Sequence, residues 1–186
     1  MDAEHLVAAR ALSEGLGSRM AVHLVLEVIA YADDEAEATG RRGSVEVTLR
    51  GDEVSVSDDG RGTDTRFDDS GRPVRKPVMA TRDVRFFDAD DPPLLPDGLP
   101  RRGMSTVAAV SPWLVHENRR SDGAWRQGYR FGIPGSTLEE VERPGPTGTT
   151  VTFGLPSPHR VDPDRLASLV ADLVHVDVRV VGPGSG

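Results

Sequence analysis

The chain has 186 residues, of which 37% are hydrophobic and 28% charged, a balance that builds one folded domain with a sizeable core rather than a disordered segment. Its formal charge of −8 argues against a nucleic-acid-binding surface, and the lack of any cysteine excludes disulfides and thiolate metal sites. The start, MDAEHLVAAR, is acidic and amphipathic, so no signal peptide is expected; no apolar run reaches membrane-spanning length, and a cytoplasmic protein with no membrane partner is the expectation.

In chain order, Asp2 to Leu16 reads as a short helix, and a second, stronger helix begins at Ser18 or Arg19 and runs to about Thr39, closed by Gly40. SVEVTLRGDEVSVSD then alternates. Val45, Val47 and Leu49 share a face, Val54 and Val56 share a face, and the Gly51-Asp52 turn between them predicts a β-hairpin. From Gly60 to Arg102 prolines and aspartates dissolve the pattern, which predicts a long loop over about 63–102, mobile and able to close over a site. GMSTVAAVS reads as a short helix ended by Pro112, and WLVHENRRSDGAWRQGYRFG as a second hairpin turning at Ser121-Asp122-Gly123. TGTTVTFGL is a strand, DPDRLASLVADLV a helix with an acidic cap and Pro163 in its first turn, VDVRVV a last strand, and 182–186 a flexible tail. The order implies an α+β two-layer sandwich over 1–181, with a mixed, mostly antiparallel sheet and helices on one face.

Two places carry chemistry. Asp58 has the parity of Val54 and Val56, so either it faces the core with them or the strand ends at Ser57 and Asp58 opens a turn. On the second helix His23, Glu27 and Tyr31 stand at i, i+4 and i+8 of an almost wholly apolar sequence. Three proton-handling groups on one stripe read either as a pocket wall or as a half-exposed face with a weak surface His–Glu pair. The histidines are scattered without metal-ligand spacing, so no metal site is expected. Arg101, Arg102, Arg119, Arg120, Arg126 and Arg130 are candidates for an anion or simple partners of the surplus acids.

Five stretches in order, DAEHL, HLVLEVIAYADDEA, VSVSDDGRG, WRQGYRFGIP and TGTTVTF, resemble the ATPase domain of the gyrase B family, in the GHKL superfamily, over roughly Asp2 to Leu173. The resemblance implies that Glu27 matches the general base and His23 its supporting histidine. It implies that Asp58 and Thr149 face the adenine amino group, that Gly62 flanks the base pocket, and that Arg120 lies near the coumarin-drug site. Two departures stand out. The magnesium-binding asparagine is replaced by Tyr31, a poor magnesium ligand. The phosphate loop becomes GLPRRG, in which Pro100 has no N–H and Arg101 and Arg102 replace glycines. The reading favoured on these grounds is a repurposed pocket in which Glu27, His23 and Tyr31 perform metal- and cofactor-independent acid–base chemistry on a small organic molecule, such as dehydration, isomerisation or cyclisation in biosynthesis. Asp58, Gly62, Thr149, Arg101, Arg102 and Arg120 would bind that molecule. The alternatives are a nucleotide-binding or weak ATPase module using ATP and magnesium, and a noncatalytic ligand- or drug-binding regulator. A homodimer is compatible with each.

Overall fold

A computed structural model describes residues 3–63, 66–67, 73–74, 83, 85–86, 89–142 and 146–182. It is an α+β two-layer sandwich. Strands β1 (Gly43–Arg50), β2 (Glu53–Asp58), β5 (Leu114–Arg120), β6 (Gly123–Arg130), β7 (Ile133–Glu140), β8 (Gly148–Gly154) and β9 (Val176–Val181) form one sheet in the order β7-β6-β5-β8-β2-β1-β9. Every pairing is antiparallel except that of β1 with β9. Two-residue strands β3 (Arg66–Phe67) and β4 (Pro73–Val74) pair separately. The expected mobility of 63–102 and the tail at 183–186 fall largely outside the described residues. The described end of that loop, 89–102, is held by bonds such as Leu95 N–H to Leu99 O and Arg101 N–H to Pro93 O.

The helix α2 (Met20–Thr39) is the centre of the molecule. Its residues from Met20 to Ile29 are buried without a break, as a helix apolar on all sides requires. It lies on a sheet face made by Val45, Val47 and Leu49 of β1, Val54 and Val56 of β2, and Val151 and Phe153 of β8, which with it form the main core. Burying each such aliphatic side chain stabilises by roughly 1.5–3 kcal/mol. The β1–β2 turn needs a left-handed residue, and Gly51 supplies it with φ +65°.

Helix α3 (Met104–Val110) is buried throughout, and α1 (Ala3–Glu14) packs on it. His5 Nε2 bonds Ser105 Oγ at 2.7 Å, while Arg10 donates to the carbonyls of Ala109 and Phe131, so α1 is tied to its own domain. Helix α4 (Pro163–Val170) starts on Asp162, whose carboxylate accepts from the amides of Asp164 and Arg165, as the sequence predicts. Strand β7 departs from the sequence reading. The sequence reading assigns no element to IPGSTLEE, yet β7 forms there as the sheet's edge, the place in a sheet where a proline such as Pro134 is tolerated. Among the described residues no helix is long and apolar enough to cross a membrane.

Candidate functional site

Between the C-terminal half of α2 and the sheet lies a cavity of about 720 Å³. Strand registers lay out its floor. Asp58 sits beside Thr149, which pairs with Asn118, which pairs with Trp125. One step along, Val56, Val151, His116, Gln127 and Leu138 form a second row across five strands. Because side chains alternate faces with period two, both rows point to the helix side. All nine residues line the cavity, with Val28, Tyr31, Ala32 and Ala38 of α2 above them. Exposed Arg61 and Arg85 mark its open side, paired with Glu35 and Asp83.

Asp58 therefore faces inward. Its Oδ1 accepts from the amides of Gly60 (2.9 Å) and Thr149 (3.2 Å), which leaves Oδ2 without a partner among the described residues. Burial pushes the carboxyl above its ordinary value, and those two amides only partly oppose the rise. Gly62 and Thr149 line the same cavity, with Gly62–Thr63 fastened to Asn118, whose Oδ1 accepts from Thr63 N–H at 2.6 Å and whose Nδ2 donates to Thr63 O at 2.8 Å. Arg120 also lines the cavity and donates to Gly62 O.

The α2 stripe does something other than the sequence predicts. His23 and Glu27 do not line the cavity; they are 2% and 0% exposed and turn toward residues 97–104. Glu27 accepts the backbone N–H groups of Arg102 and Gly103, one on each carboxylate oxygen. His23 Nδ1 donates to Asp97 at 2.9 Å, and its Nε2 is 3.5 Å from Glu27. Tyr31 lines the cavity by its ring, but its hydroxyl accepts from Met104 N–H and donates to Asp83. Burial raises the Tyr31 phenol further above its ordinary value. One turn on, Asp34 takes a bidentate bond from Arg101, whose guanidinium lies 4.7 Å from the Tyr31 ring centre and 4.1 Å from that of Phe86. Residues 23, 27, 31 and 34 thus clamp the GLPRRG segment along one side of the helix. Arg101 is buried in that clamp, and neither it nor Arg102 lines the cavity, which corrects their expected role in binding. The signal was present in the sequence as the i, i+4, i+8 stripe; what the spacing could not say is which neighbour the stripe faces. The sequence reading singled out none of the cavity residues His116, Gln127 and Leu138: the first two fall in a hairpin read only for its turn and its family likeness, and Leu138 in a stretch given no element.

Burial alone would lower the pKa of His23, but its bonds to Asp97 and Glu27 prevail and push it up to about 9. A histidine raised on folding gives stability that is complete below its unfolded pKa of 6.5 and is lost as pH rises through about 9. Thermal melts from about pH 6 to about pH 10 should therefore show the melting temperature falling through the upper part of that range, and His23→Gln should flatten that fall. An equally steep alkaline loss in the variant would assign it to another group.

The sheet order, the central α2, and the half-buried Asp58 and Thr149 facing a cavity beneath it make up a two-layer sandwich of GHKL type. No family model matches the chain. It is 34% identical over 139 residues to the B subunit of DNA gyrase from Streptomyces coelicolor, covering 74% of this chain and 20% of that protein. It is 33% identical over 139 residues to the novobiocin-sensitive gyrase B of Streptomyces niveus, and 32% identical over 133 residues to the B subunit of DNA topoisomerase 4 from Staphylococcus epidermidis. Those matches cover 74% and 70% of this chain, and 20% of each relative. The chain is a homologue of the gyrase B and topoisomerase IV B proteins over this domain, and spans about a fifth of the length of the relatives it matches.

Proposed function

We propose that the chain is a small-molecule-binding domain of gyrase B type. Its cavity takes a flat ligand that presents a hydrogen-bond donor to Asp58, and it does not work a magnesium triphosphate. The observation that carries this reading is the division of labour around α2. Asp58, Gly62 and Thr149 remain at the cavity, whereas the loop amides that would cradle phosphate are bonded to the carboxylate of Glu27. The residues do not fit magnesium with a triphosphate. Tyr31 commits its hydroxyl to Met104 and Asp83, and Pro100 offers no N–H.

The acid–base enzyme favoured from sequence draws support from one observation: a carboxyl raised by burial, Asp58, shares the cavity with His116. On that reading proton transfer belongs to those two residues rather than to Glu27 and His23.

Calorimetric titration tests the proposal. Adenosine should bind, ATP should bind no more tightly than adenosine, and magnesium should leave both unchanged. Asp58→Ala should weaken adenosine by about tenfold or more, since a hydrogen bond to a charged group is worth roughly 1.5–3 kcal/mol. Magnesium-dependent tightening of ATP would sink the proposal in favour of an ATPase module.

A further inference from the structure

The cavity extends well beyond the groups that serve Asp58. From Asp58 on β2 to Gln127 on β6 is three strand spacings, roughly 14 Å, farther than one fused bicyclic ring reaches. At about 720 Å³ the cavity lies in the size range of sites for drug-sized ligands. Its far end has a different character. Trp125, Tyr129 and Leu138 supply aromatic and aliphatic wall, and polar side chains of β5 and β6 stand among them. Gln127 is one of them. It is 4% exposed, and its Nε2 donates to the carbonyls of Gly128 (3.0 Å) and Gly135 (3.3 Å), bridging the irregular step between β6 and β7. Two carbonyls facing the same terminal atom fix it as the amide nitrogen. The Oε1 is then left buried with no partner among the described residues, a costly state for an acceptor.

We infer that the cavity holds a second subsite over β5, β6 and β7, and that the chain's ligand carries an aromatic or branched apolar group joined by a short spacer to the head that Asp58 holds. This rests on the reading of Asp58 above. A donor on that second group, brought against the Gln127 wall, would satisfy its Oε1.

The test titrates 2-aminobenzimidazole, a bare head, and a series of its analogues bearing a phenyl ring on a methylene spacer at successive ring positions. At least one analogue should bind about tenfold more tightly than the parent. Leu138→Trp, which fills the far end, should remove that gain and leave the parent within about twofold. Leu138→Phe serves the same purpose if the larger residue prevents folding. Trp113 packs against Gly154, away from the cavity, so Trp113→Phe isolates Trp125 as a reporter. Its emission should shift with the tight analogue and not with the parent. A parent that binds while no analogue gains, or a gain that survives both Leu138 variants, overturns the second subsite and leaves the Asp58 reading standing. A parent that fails to bind overturns both.

Discussion

Glu27→Gln should destabilise the domain by roughly 3 kcal/mol or more, because it replaces one carboxylate oxygen by a donor that faces a backbone N–H. Both oxygens of Glu27 are committed to the Arg102 and Gly103 amides, and the side chain has no exposure through which water could compensate. The same change removes the negative partner of a histidine whose proton affinity is raised by it. Glu27→Asp keeps the charge but is one methylene too short to hold both amides, so it should recover only part of the loss. Denaturant unfolding of the three proteins decides the matter. Stability within about 0.5 kcal/mol of wild type in Glu27→Gln would mean that the carboxylate does not hold the loop, and would return it to the catalytic role that the gyrase resemblance implies.

Gly148→Ala should be as damaging, and through backbone rather than charge. A Cβ there would stand 2.0 Å from the carbonyl oxygen of Asp58 and 3.0 Å from its carbonyl carbon, at φ +145°. Neither atom belongs to a side chain that can swing away. Strand β8 would have to part from β2 at the point where Thr149 N–H bonds Asp58. We expect a loss on the order of 3 kcal/mol or more and at least about tenfold weaker binding of a head-group ligand. Gly128→Ala is the control, since a Cβ there meets nothing within 4 Å; it should change stability by less than about 0.5 kcal/mol. Equal behaviour of the two variants would show that the close approach at Gly148 relaxes at little cost.

Much of this was legible in the sequence because it is local. The β1–β2 hairpin follows from alternation around a two-residue glycine turn, and the cap of α4 from Asp162 before Pro163. Even the inward aspect of Asp58 follows from parity with Val54 and Val56 once the strand is known to run that far. The target of the α2 stripe was not legible. Periodicity says that His23, Glu27 and Tyr31 share a side, but both the cavity and the 97–104 segment adjoin α2, and only the packed structure shows the carboxylate turned to the second. Strand β7 was hidden for the opposite reason: its local residues argue against a strand, and pairing with β6 overrides them.

The two cross-strand rows also constrain how chain length can change around the cavity. Trp125, Gln127 and Tyr129 face the ligand side, and Arg126, Gly128 and Arg130 interleave with them. Deleting or inserting one residue within β6 would exchange the two sets, presenting two guanidinium groups to an apolar wall and sending the tryptophan to the opposite face. Length variation that keeps the cavity is therefore confined to the connections, such as the Ser121-Asp122 turn, where added residues leave the strand's parity untouched.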